Sequence, residues 1–314
     1  MKFSIIFIAL LLISAQAVRC QIFKEDSTVK VIAYWDLNES YTYSVLFEQF
    51  ELVGEDTVDR TTTTYLIDAI VIDSTSNSYK MRWTYRDLKV EMPDKDSTYS
   101  DLMNKLMGLS GGAVVEFETD ELGGFQGVTN WETIRDYYKV ASDSMKSYFG
   151  QIPQVNDFID RMMIGFMTKE AIESSSIKDV HQFLNFHSAE LKLGRPEFST
   201  MKFPDATGTE LMDALVSIEV TGIFPEDDDY AVYSKVDVNP DQLKSVARKN
   251  VRNLLPNASE EELDQVFEQM GEIWTEIENY AVIHYWGWPR YTKEVRRAGS
   301  ALKNKVEIRT IEII

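Results

Sequence analysis

Gly108-Leu109-Ser110-Gly111-Gly112 satisfies G-x-S-x-G, the pattern of an acyl-transfer nucleophile. In that chemistry a serine hydroxyl attacks a carbonyl, a histidine takes the proton, and backbone N–H groups hold the oxyanion. The serine must sit on a sharp turn from strand to helix. Here the order is inverted: a helix-like stretch over residues 100–107 precedes Ser110 and a strand-like stretch over residues 113–118 follows it. The pattern reads as a glycine-rich turn, and no catalytic residue is assigned. The histidines are His181, His187 and His284. His181 and His187 stand six apart, and a helical zinc pair requires four. His187 and Glu190 are close enough on a helix for a surface contact. His284 falls among Tyr280, Tyr285 and Trp286, where a hydrogen-bonded core or rim histidine is expected. The acidic run Glu226-Asp227-Asp228-Asp229 lacks the glycine and the distal glutamate of a calcium loop, so it reads as a solvated connection. No metal site and no cofactor is expected.

The aromatic residues are the more informative set, with two readings. Tyr41, Tyr43 and Phe47 fall on one strand face, and Tyr79, Trp83 and Tyr85 on another. Trp286 and Trp288 flank Gly287. Aromatics suit half-buried pleated surfaces, so a packed core is one reading. An apolar cleft between sheet and helices is the other. Tyr43, Trp83, Tyr85, Trp286 and Trp288 are its candidate lining residues.

The elements that position these residues follow from periodicity. Residues 29–37, 41–47, 60–72 and 79–86 carry the period-two alternation of antiparallel strands with one solvated face. Tyr79, Met81, Trp83 and Tyr85 are expected to face inward, and Lys80, Arg82 and Arg86 outward. Residues 114–118 and 125–128 form a hairpin around Gly123-Gly124. From Thr129 the period becomes helical, with capping-box spacing between Thr129 and Glu132. Apolar stripes follow at Ile134, Tyr137, Tyr138, Ala141 and Met145, at Ile159, Met162, Met163 and Phe166, and at Ile177, Val180, Phe183 and Leu184. Strands resume over 212–224 and 230–238. Asn239-Pro240 opens one helix, and Ser259 with Glu262 opens another that Gly271 ends. The chain returns to strands over 277–286, 291–297 and 305–313. This order predicts an antiparallel α+β fold, not a doubly wound one.

The chain has 314 residues, one cysteine, and 51 acidic against 32 basic residues, a net charge of −19. Such a balance excludes nucleic acid and anionic membrane surfaces as partners, since both require a basic footprint. Residues 1–17 have the order of a secretory signal peptide: Met1-Lys2, an apolar run over residues 3–13, then Ser14-Ala15-Gln16-Ala17. The apolar run is too short to span a bilayer. Cleavage is expected after Ala17 or after Cys20. Lipidation of Cys20 is a third alternative, although Arg19 departs from a lipobox. Removal of residues 1–20 takes away Lys2 and Arg19 and no acid. The remainder, residues 21–314, reads as one α+β domain with a helical insertion at about 129–200. An exported chain without disulfides fits a periplasm or outer envelope. Thiol chemistry is excluded once Cys20 is removed.

Two segments carry a family resemblance. Phe117-Glu118-Thr119-Asp120-Glu121-Leu122-Gly123-Gly124-Phe125 leads into Gly127-Val128-Thr129-Asn130-Trp131-Glu132-Thr133-Ile134, and Tyr285-Trp286-Gly287-Trp288-Pro289 precedes a charged strand. Both resemble uncharacterised exported proteins of Gram-negative envelopes that share a half-barrel related to LolA and LolB. The resemblance implies a curved antiparallel sheet wrapped on a helical cluster, with a concave face able to hold acyl chains. The expected role is non-enzymatic: binding of a lipid-like or other apolar ligand, or of an envelope protein. The alternative is a periplasmic hydrolase built on carboxylates, which requires two acids at a defined separation.

Overall fold

The computed structural model describes residues 22–23, 27–93, 104, 108, 112–149, 153–204 and 210–314. The export segment with Ala17 and Cys20, Ser110, and all but residue 104 of the helix expected over 100–107 lie outside the described residues.

A small antiparallel sheet joins β1 (Ile22–Phe23), β2 (Thr28–Lys30) and β8 (Glu190–Lys192). The large sheet is built from two meanders. The first is β3 (Ser40–Val53), β4 (Asp56–Ser74), β5 (Ser78–Glu91), β6 (Val114–Asp120) and β7 (Phe125–Val128). The second comprises β9 (Glu197–Pro204), β10 (Leu211–Phe224), β11 (Asp229–Val238), β12 (Trp274–His284), β13 (Pro289–Gly299) and β14 (Asn304–Ile313). Together they make eleven antiparallel strands in the order β7-β6-β5-β4-β3-β14-β13-β12-β11-β10-β9. β14 pairs with β3, with Ile311 opposite Val45, so the last strands return to the first sheet.

The expected half-barrel is not what the chain forms. The large sheet is open, with β7 and β9 as separate edges, and it is not curled around a plug. Alternation specifies which side chains face the core, but strand number, register shifts and accumulated twist decide whether a sheet closes. Here the apolar face is covered in separate patches instead of by one central plug. One core cluster joins β3–β6 to the helices after β7, a second joins β10–β12 to Val29, Val31 and Leu191, and a third lies beneath Val246.

The first helical group is α1 (Trp131–Phe149), α2 (Pro153–Ile164), α3 (Lys169–Ala171) with a π-turn over Ile172–Ser176, and α4 (Lys178–Leu184). The capping box expected between Thr129 and Glu132 is replaced by docking onto the sheet. Thr129 Oγ1 donates to the Glu116 carbonyl, and the Asn130 side chain accepts from Glu116 N and donates to the Val114 carbonyl. These bonds fix the start of α1 against β6. The second group is α5 (Pro240–Leu254) and α6 (Glu260–Met270). Asn239 accepts from the N–H groups of Asp241 and Gln242, and Ser259 and Glu262 form the full reciprocal box. Loss of a capping hydroxyl typically costs about 1 kcal/mol. Ser259→Ala is therefore expected to lower stability by about that amount in a urea titration; an unchanged midpoint would show that α6 does not depend on its cap.

Residues 31–36, part of the strand expected over 29–37, join no ladder. Val31 N donates to Ala189 O, Ala33 N to Leu122 O and Tyr34 N to Trp286 O. Three different loops take the backbone bonds that a neighbouring strand would otherwise supply. The face assignment on β5 agrees with its alternation: Met81 and Trp83 are fully buried, while Lys80 and Arg82 pair with Glu116.

Candidate ligand cavity

A bulge in β5 shapes the site. Thr64 pairs with Lys89 and Leu66 with Arg86, so Asp87 and Leu88 together oppose the single residue Tyr65. Asp87 takes a positive φ of 56° to accommodate the extra residue. The inward phase therefore passes from Tyr85 to Leu88, and both reach the same cavity.

That cavity holds about 500 Å³ between β4–β6 and the helices α1, α2 and α4. Its walls are two aromatic layers. Tyr65 and Tyr85 come from the sheet, with ring centroids 5.9 Å apart. Tyr137 and Tyr138 come from α1 and Phe166 from the turn after α2; Tyr138 and Phe166 are stacked at 3.8 Å, and Tyr137 meets Tyr138 edge-on at 5.4 Å. Aliphatic side chains, among them Val115, Ile134, Ile172 and Ile177, fill the space between.

One carboxyl interrupts this surface. Asp179, in the first turn of α4, is buried and lines the cavity. Tyr65 Oη donates to its Oδ2 at 3.3 Å, the Tyr85 hydroxyl also hydrogen-bonds it, and Val180 N donates to Oδ1 at 3.0 Å. Burial pushes the carboxyl upward from its ordinary value, and the positive charge of Arg309 and these hydrogen bonds oppose the shift. Both tyrosines are raised well above their ordinary value by burial and by the neighbouring acid, so they remain proton donors. Arg309 lies 3.5 Å from Glu294 and 4.7 Å from the centre of the Phe47 ring. Glu294 in turn accepts a two-pronged pair from Arg296 at 2.8 and 3.0 Å.

Of the residues expected to line a cleft, Tyr85 stands on the cavity wall. Tyr43, Trp83 and Trp288 are buried at 1%, 0% and 2% exposure in an adjoining aromatic core around Phe183. Trp286 is 39% exposed, at a turn beside His284 and Tyr285. Tyr65, Tyr137, Tyr138, Phe166 and Asp179 complete the site. Tyr137, Tyr138 and Phe166 are legible in the sequence as helical stripe residues. Asp179 carries no such signal, because it sits on the flank of α4 that alternation leaves to solvent.

His187 is not the surface residue its spacing from Glu190 predicts. It follows α4 and is buried where residues 117–125 and 285–289 converge. Its Nε2 lies 2.9 Å from the Gly287 carbonyl, and its ring is 5.5 Å from Trp35. Gly287 has a φ of +85°, and a Cβ there would lie 2.4 Å from the Ile32 carbonyl oxygen. A Cβ at Gly123 would lie 2.5 Å from the His187 ring. The two glycines admit the 31–36 segment and the imidazole to the same place.

No protein-family model and no curated protein matches the chain. Among solved structures it is similar to one described as lipid–protein interactions in lipovitellin, at 11% identity and a TM-score of 0.40. The match covers 89% of this chain and 25% of that one, so this chain spans about a quarter of that protein's length. A likeness at this level assigns neither fold nor ligand. Among the described residues, no helix is long and apolar enough to cross a membrane, and no cluster of three or more His, Cys, Asp or Glu side chains could hold a metal ion.

Proposed function

We propose that this protein is an exported binding protein that holds an apolar, lipid-like ligand in the cavity between β4–β6 and the first helical group. The observation that carries this reading is an aromatic-walled cavity of about 500 Å³ beside a core in which Trp83, Phe117 and Phe183 are fully packed. Small-molecule pockets of roughly 300–1,000 Å³ are typically apolar with a few placed polar groups, and Asp179 with its two tyrosines is such a set. Export to a periplasm or outer envelope is the part of the reading supported by the apolar run over residues 3–13, the small residues after it and the single cysteine.

Native mass spectrometry of the protein purified from its own envelope tests both parts. The expected species begins at Val18 or Gln21 and carries one small apolar molecule that is lost on unfolding. A ligand present at about 100 times its Kd should stabilise the fold by roughly 2.7 kcal/mol, which a thermal melt reads directly. A chain retaining Met1 would remove the export part. An empty protein whose melting responds to no apolar compound would remove the binding part.

A further inference from the structure

We propose that the cavity selects apolar ligands bearing a cationic amine, because Asp179 is the charged side chain on a wall otherwise built of aromatic and aliphatic groups. This inference rests on the ligand-binding reading above and names the ligand class for that site. Among the described residues, no lysine or arginine lines the space. The nearest cation of consequence, Arg309, lies off the wall: it hydrogen-bonds Tyr65 and partly offsets the Asp179 charge, and it is also engaged with Glu294 and with the face of Phe47. A carboxylate-bearing ligand would bring a second negative charge beside the buried Asp179 carboxyl, where like charges disfavour each other. An alcohol would gain hydrogen bonds and no charge complementarity.

An ammonium group gains from three sources. The first is the Asp179 carboxyl, whose charged form an adjacent ammonium favours against the opposing effect of burial. The second is the rings, which come from both layers: Tyr65 and Tyr85 on the sheet side, Tyr137, Tyr138 and Phe166 on the helix side. Aromatic faces attract cations through the ring quadrupole, more so when water is excluded, and cages of this kind recognise quaternary ammonium groups. The third is the field of a chain with a net charge of −19, which concentrates cations at its surface and disfavours anions.

Isothermal titration at neutral pH, below micellar concentrations, with decyltrimethylammonium, decan-1-ol and decanoate tests the selectivity with one chain length and three head groups. The ammonium compound is expected to bind at least about tenfold more tightly than the alcohol, with decanoate weakest. Asp179→Asn should bring the ammonium-to-alcohol ratio to within about twofold of unity by removing the charge. Tyr138→Leu, which removes a ring and keeps Asp179, Tyr65 and Tyr85, should lower ammonium affinity and leave alcohol affinity nearly unchanged; it serves as the test if Asp179→Asn does not fold. An alcohol that binds as tightly as the ammonium compound, or a ratio that survives in the folded variants, overturns the inference and leaves apolar ligand binding standing. Failure of all three compounds to bind overturns both.

Discussion

Replacing Trp83 with alanine is expected to destabilise the protein by roughly 3–5 kcal/mol, the range for deleting a fully buried large aromatic. Trp83 is completely buried and meets Phe117 edge-on at 5.7 Å and Phe183 at 5.1 Å. It therefore joins the sheet to α4, and its removal opens a void at that junction. The void lies beside the ligand cavity, not on its wall, so the loss should appear in the denaturation midpoint at every ligand concentration. Trp83→Phe should be milder, since the indole nitrogen makes no hydrogen bond to the protein that would be lost. An alanine variant that melts like the parent would show that β5 does not present this face to the helices, and the inward register of that strand would be wrong.

The second large effect is acid sensitivity centred on His187. Burial lowers its pKa to about 4, against an ordinary value of 6.5. The unfolded chain binds the proton more readily than the folded one, so stability rises with pH wherever the two states differ in protonation. The contribution is complete above pH 6.5 and is lost as pH falls through 6.5 toward 4. A shift of this size corresponds to about 3 kcal/mol. Urea titrations at pH 7 and pH 4.5 should show the parent losing about 2–3 kcal/mol more than His187→Gln over that interval. Comparison of the two chains isolates the histidine from the buried carboxyls, whose contributions are shared. Equal pH slopes in parent and variant would show that the imidazole is hydrated or protonated in the fold. His187 would then set no limit on the protein's lower working pH.

Alternation along most of β3–β6 and β10–β14 is enough to place those strands and the inward face of β5, because one side is packed and the other more exposed; β11, buried on both faces over Asp229–Val232, is placed by its apolar run instead. The caps at Asn239 and Ser259 are legible for a related reason: their bonds are local. What escapes the sequence is what depends on distant partners. β9 is an edge strand with nearly every residue exposed, so it carries no alternation to read. The 31–36 segment has the composition of a strand, but its hydrogen bonds belong to loops more than a hundred residues away as well as to a nearer one. Asp179 and Gln182 occupy the polar flank of an amphipathic helix, yet α4 is covered on both sides and buries them. The openness of the sheet escapes because curl is a property of all eleven strands together.

The seam between β3 and β14 sets an order of events in time. Gln49 bonds to Glu307 across 258 positions, at the middle of the large sheet. During synthesis the first meander has no neighbour on the β3 side until residues 304–313 have left the ribosome. Pairings between such distant segments form late, because the intervening chain must first be brought together. Until then β3 presents an open backbone edge, which is hazardous if the chain lingers. For a chain that is exported as proposed, the same delay is useful: it remains threadable until its last strand has been made, and the sheet knits only on the far side.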